Sequence, residues 1–141
     1  MYVLDTNVVS EVRKIKSRRA DRYVVAWARG IDAGQAYMSA VTIGELEHGV
    51  LLAERRDPAA GAVLRRWLDN DVCEEFEQHI LPVDSTVARR AAALHVPDPA
   101  PIADALIAAT ALTHRMVLVT RNAGDFRRFE GLTIINPWDP P

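Results

Sequence analysis

Short apolar runs alternate along this chain with longer stretches in which apolar residues return every three or four positions. Tyr2-Val3-Leu4 predicts a strand that stops at Asp5-Thr6-Asn7, and Val8, Val9 and Val12 then recur at helical spacing up to the basic stretch around Lys14. Val24, Trp27, Ala28 and Ile31 predict a second helix over 20–31. Ala36 to Ser39 predicts the next strand, after which Thr42-Ile43-Gly44-Glu45 matches a capping box opening a helix through about Ala53. Asp57-Pro58 restarts a helix that Val63, Leu64, Trp67, Leu68 and Val72 carry toward Gln78.

The second half repeats the alternation. Ile80 to Val83 predicts a strand, and Asp84 or Ser85 caps a helix reaching Leu94. The three prolines of Pro97-Asp98-Pro99-Ala100-Pro101 exclude regular structure and lead into a helix over 102–113. Met116 to Val119 has the composition of a strand buried on both faces, Thr120 to Asp125 predicts a polar loop, and Leu132 to Ile135 a last strand. Strands that alternate with helices predict an α/β fold, a parallel sheet covered on both faces and joined by right-handed crossovers. At 141 residues, residues 1–141 are expected to form one domain. In such folds ligands bind beyond the carboxyl ends of the strands, which directs attention to the residues that follow each run.

Composition narrows the chemistry. With 49% hydrophobic and 26% charged residues the chain is neither disordered nor rich enough in unbroken apolar sequence for a membrane span, and an acid at position 5 does not suit a signal peptide, so a cytoplasmic protein is expected. The lone Cys73 excludes a disulfide framework and zinc sites built on cysteine pairs, and its acidic neighbours Asp71 and Glu74 do not activate a thiolate. The net charge of −2 argues against bulk electrostatic coating of nucleic acid. Local basic surface remains, in Lys14, Lys16, Arg18 and Arg19 and in Arg121, Arg127 and Arg128.

Four acids stand where solvation does not explain them: Asp5, Glu45, Asp104 and Asp125. Each has a plain reading. Asp5 suits an N-cap, Glu45 the partner of Thr42 in the capping box, Asp104 a first-turn acid favoured by the helix dipole, and Asp125 a cap for 126–129. Jointly the topology brings all four to one edge of one sheet, where like charges repel unless something neutralises them. Mg²⁺ or Mn²⁺ prefers such oxygen ligands, and with a substrate phosphate it suits phosphodiester hydrolysis by activated water. Walker-type and dinucleotide-type glycine loops and a nucleophile elbow are absent. A Mg²⁺-dependent phosphohydrolase of small phosphate esters is the competing reading; it needs a second acid two positions after the nucleophilic aspartate, where Asn7 stands.

The segments 2–11, 39–46 with Gly49, 101–109 and 119–126, in that order and each with its acid, resemble the PIN-domain family, most closely its VapC and FitB type of bacterial toxin. The resemblance implies a three-layer α/β/α sandwich with a central parallel sheet, a homodimer, and a Mg²⁺- or Mn²⁺-dependent endoribonuclease that serves as the toxin of a type II toxin-antitoxin system. It implies a cognate antitoxin, a small DNA-binding protein through which alone operator DNA is reached. Asp5, Glu45 and Asp104 look like its metal-binding catalytic acids and Asp125 the more variable fourth, with Thr6, Asn7, Thr120 and Asn122 as hydrogen-bonding support or, on the plainer view, as caps and turn residues. Arg121, inside the loop that carries Asp125, is the candidate RNA contact. A partner acting mainly through an antitoxin-operator complex is a further alternative, which the intact acids disfavour. An antitoxin is expected to lay an apolar segment in a groove and set an Arg or Lys among the acids.

Overall fold

Each apolar run at the heart of the sequence becomes a short parallel strand. In the computed structural model, which describes residues Met1–Pro141, β1 (Tyr2–Leu4), β2 (Ala36–Ser39), β3 (Ile80–Leu81), β4 (Val117–Val119) and β5 (Ile134–Ile135) form one sheet in the order β3-β2-β1-β4-β5. All four pairings are parallel. The chain moves outward from β1 through β2 to β3, then returns to lay β4 on the other side of β1. The switch point therefore lies between β1 and β4, where a parallel sheet opens a crevice at its carboxyl edge.

Between the strands run α1 (Thr6–Val12), α2 (Arg22–Arg29), α3 (Ala40–Arg56), α4 (Pro58–Arg66), α5 (Cys73–Glu75), α6 (Ser85–Leu94), α7 (Ile102–His114) and α8 (Ala123–Phe126). Alternation along the strands divides the core. Leu4, Met38 and Val119 join Val8, Val9, Leu46, Val50, Leu68 and Val72 in one cluster, while Val3 and Leu118 join Ile107, Ala108, Ala111, Phe126 and Phe129 in another. Helices thus cover both faces, as the sequence predicts. Alanines at 105, 108, 109 and 111 are fully buried, and their small side chains let α7 lie close on the sheet.

Side-chain caps set most helix starts: Asp21, Asp57 and Asp84 each accept from backbone N–H groups of the following turn, worth about 1 kcal/mol apiece. The buried Glu11 accepts from the Asp21 N–H at 2.7 Å and from Lys14 Nζ at 3.0 Å, which closes the basic loop between α1 and α2. The Asp21 N–H is the main reason its carboxyl sits below the usual carboxylate range.

Four local expectations are corrected. The capping box at Thr42 and Glu45 does not form: Ser39 caps α3 instead, its Oγ accepting from Val41 N at 3.0 Å, and Thr42 Oγ1 is buried without a partner. The helix predicted over 58–78 is interrupted by a π-helical segment, Trp67–Val72, which turns Leu68 and Val72 into the core. The loop predicted over 120–125 contains the start of α8, and the last strand keeps only Ile134 and Ile135.

Candidate active site

The residue that ends β1 is the centre of the site. Asp5 is 7% exposed and caps α1, its Oδ1 accepting from Thr6 N at 2.8 Å. Its other oxygen, Oδ2, accepts from Thr120 Oγ1 at 2.7 Å and from Asn7 Nδ2 at 3.3 Å. Thr120 is the first residue beyond β4 and fully buried, so this hydrogen bond ties the two strands that flank the switch point. The cap reading of Asp5 is therefore correct but incomplete: only one oxygen serves the helix.

Thr6 connects the next acid. Its hydroxyl donates to Glu45 Oε1 at 2.7 Å, across from α1 to α3. Because α3 begins at Ala40 rather than after Thr42, Glu45 lies in the second turn, beyond reach of a capping role, and its exposed carboxylate is turned to Thr6.

Asp104 enters from the opposite layer, in the first turn of α7, and Asp125 from α8. Burial is the main cause that raises the Asp104 pKa above the usual aspartate value, and the charges of Asp5, Asp125 and Glu45 add to it in that order. The charges of the other three predicted acids thus all reach Asp104, at the carboxyl edge of the sheet. None of them is in a salt bridge; the ion pairs of the chain are Lys14 with Glu11 and Arg65 with Glu47, Glu54 and Asp69.

The polar residues around the acids are linked in series. Asn7 accepts at Oδ1 from Arg121 N at 3.1 Å, and Thr120 Oγ1 accepts from Asn122 N at 3.0 Å. Asn122 contributes main chain rather than its amide, its carbonyl accepting from Asp125 N at 2.9 Å. Thr6, Asn7 and Thr120 make their contacts to the acids through their side chains. Two residues that sequence reasoning does not single out join them. Asn136 Nδ2 donates to Arg121 O at 3.2 Å, and the Arg121 guanidinium lies over the Trp138 ring at 5.1 Å from its centroid. The only sequence signal was an Asn-Pro-Trp directly after the last strand.

The donor set is suited to a hard divalent cation: four carboxylates, hydroxyl and amide neighbours, and no thiol or imidazole among them. No three of the chain's His, Cys, Asp and Glu side chains are close enough to share an ion in this conformation. Mg²⁺ needs only one or two carboxylates beside its waters, so a three-carboxylate cage is not required. The residues therefore fit such an ion.

Fold and site together define a parallel α/β protein with an acidic cluster at its switch point. The sequence pattern of the PIN domain matches residues 2–132, and the chain belongs to the PIN-domain family. It is 35% identical to the VapC ribonuclease Y4jK of Sinorhizobium fredii over 99% of both chains. It is likewise 35% identical to the toxin FitB of Neisseria gonorrhoeae, covering 98% of this chain and 99% of that one. The structure of FitAB bound to an IR36 DNA fragment superposes with a TM-score of 0.85 at 31% identity, covering all of this chain and 98% of that one.

Proposed function

We propose that this chain is the toxin of a type II toxin-antitoxin pair and a Mg²⁺- or Mn²⁺-dependent endoribonuclease. The observation that carries the reading is the convergence of Asp5, Glu45, Asp104 and Asp125 with no basic side chain paired to any of them. Full-length similarity to a VapC ribonuclease supports RNA over small phosphate esters as the substrate.

Asp5 and Asp104, the two partly or wholly buried acids, hold the cation, with Glu45 and Asp125 at the open side. A divalent cation bound there supplies charge stabilisation at the phosphoryl oxygens and a water nucleophile at neutral pH. Thr120 and Asn7 hold Asp5 Oδ2, Thr6 orients Glu45, and the Asn122 carbonyl orients the turn bearing Asp125. Arg121 meets the RNA backbone beside the acids.

The partner is a small antitoxin that also carries the complex to operator DNA; the likeness to the DNA-bound FitAB structure supports this. A groove lined by Leu4, Val12, Trp67 and Phe76, with Arg13 and Glu75 among its charged residues, suits an apolar segment of that partner. The family resemblance supports a homodimer of single-domain subunits acting in the cytoplasm.

The test is cleavage of total bacterial RNA by the purified protein with Mg²⁺, with Mn²⁺ and with EDTA. Discrete metal-dependent products that vanish in Asp5→Asn and Asp104→Asn are expected. The same products from all three proteins would mark a contaminant, and absence of cleavage by wild type with metal would remove RNA as the substrate.

A further inference from the structure

Arg121 is fixed at three points by residues far from it in sequence. Its N–H donates to Asn7 Oδ1 at 3.1 Å, its carbonyl accepts from Asn136 Nδ2 at 3.2 Å, and its guanidinium lies over the Trp138 ring at 5.1 Å. Asn136 binds both sides of this arrangement, because its Oδ1 also accepts from Trp138 N at 3.0 Å. The indole is itself held, half-buried against the core cluster that contains Leu4 and Val119. Thr120 N donates to Ile135 O at 3.0 Å, so the strand pairing sets the start of both segments.

The guanidinium makes no hydrogen bond and no ion pair within the chain, although Asp125 stands only four positions further along it. Stacking over a ring leaves the five N–H donors at the guanidinium edge free, the geometry that takes a phosphate in two hydrogen bonds. An exposed arginine ordinarily loses its rotamer freedom when it captures a ligand; here the indole has already restricted it.

We propose that Asn136 and Trp138 are positioning residues that hold Arg121 as a preset clamp for an RNA phosphate next to the acids. The inference rests on the nuclease reading above. Both residues lie among the nine positions beyond 132, where the family pattern ends, so that segment becomes part of the substrate site.

The test measures binding of a short fluorescein-labelled single-stranded RNA in Mg²⁺, with Asp104→Asn in every protein to preserve the RNA, and steady-state cleavage without that substitution. Trp138→Leu should weaken binding about 2–5-fold, the worth of an exposed cation–π contact, and raise KM with kcat little changed. Trp138→Phe should bind as wild type. Arg121→Gln should weaken binding and lower the slope of log Kd against log salt by about 0.7, one phosphate contact on a single strand. In an Arg121→Gln background, Trp138→Leu should cost nothing further. Asn136→Ala should follow Trp138→Leu and replaces it if circular dichroism shows that variant unfolded. An equal loss from Trp138→Leu in both backgrounds, or a loss confined to kcat, would overturn the clamp. RNA binding without any cleavage by wild type would overturn the nuclease reading and leave the clamp to the binding cycle; neither binding nor cleavage would overturn both.

Discussion

The Thr120 hydroxyl donates to Asp5 Oδ2 at 2.7 Å across 115 positions of sequence, joining the ends of β1 and β4 where the sheet reverses its order. The same oxygen accepts from Asn122 N, so one hydroxyl fixes the buried acid and the turn leading to Asp125. Thr120→Val keeps the volume and leaves Asp5 Oδ2 with only the longer contact to Asn7 at 3.3 Å. Cleavage should fall about 10–100-fold, the usual cost of losing a group that orients a metal ligand. Stability should fall by about 1–3 kcal/mol, because Asn122 N also loses its partner. Thr120→Ser should restore most activity. Metal titration of cleavage and urea denaturation of both variants check this; a fully active valine variant would show that the hydroxyl does not position Asp5.

Asp104 should oppose folding when no cation is present. Its pKa is raised above the ordinary 3.8, first by burial and then by three neighbouring acids. A carboxyl with a raised folded pKa binds more protons folded than unfolded between its two pKa values, so its unfavourable contribution is absent below the unfolded value, grows as pH rises from there, and is complete above the folded value. In EDTA, Asp104→Asn should therefore melt above wild type at neutral pH, and the gap should close as pH falls toward 4. Mg²⁺ should raise the Tm of wild type more than that of the variant, since only wild type keeps the ligand. Scanning calorimetry at three pH values with and without Mg²⁺ reads both effects; a variant that melts lower than wild type throughout would mean that Asp104 is a structural acid.

Much of this was legible because the strands are short and apolar, and the first of them runs directly into Asp5. Asp5 and Asp104 interrupt apolar sequence visibly, Asp125 ends the polar loop after β4, and the parallel alternation indicated that these positions share one edge of the sheet. Glu45 was legible as a site acid only against a competing motif. Thr42-Ile43-Gly44-Glu45 fits a capping box by spacing, yet Ser39 stands at the end of β2 and captures the helix start three residues earlier. The consequence is functional, since a Glu45 freed from capping is the one Thr6 can reach. Asn136 and Trp138 were not legible, because their contacts with Arg121 depend on where β5 aligns with β4, a register that local pattern does not specify. Glu47 reads as an ordinary surface acid, but Arg65 from α4 holds it in two hydrogen bonds of 2.8 and 2.6 Å.

That arginine marks the close approach of α3 and α4, which makes a last prediction about Gly61. A Cβ added there would fall 2.4 Å from Glu54 Cα and 2.6 Å from Glu54 N, main-chain atoms that cannot rotate away. Alanine is otherwise the better helix former, by about 1 kcal/mol. Overpacking a buried contact costs about 1–3 kcal/mol, and here the clash is with backbone, so it outweighs propensity and Gly61→Ala should lower the Tm. Arg65 would have to follow α4 outward, stretching its hydrogen bonds to Glu54 of 3.0 and 3.3 Å as well as those to Glu47. The acids are anchored elsewhere: Glu45 lies near the capped start of α3, and Asp5 is tied across the sheet. Cleavage at 25 °C should then stay near the wild-type rate while thermal stability drops. A variant that lost activity without losing stability would instead show that the spacing of α3 and α4 is transmitted to Glu45, and that the helix pair is part of the catalytic geometry.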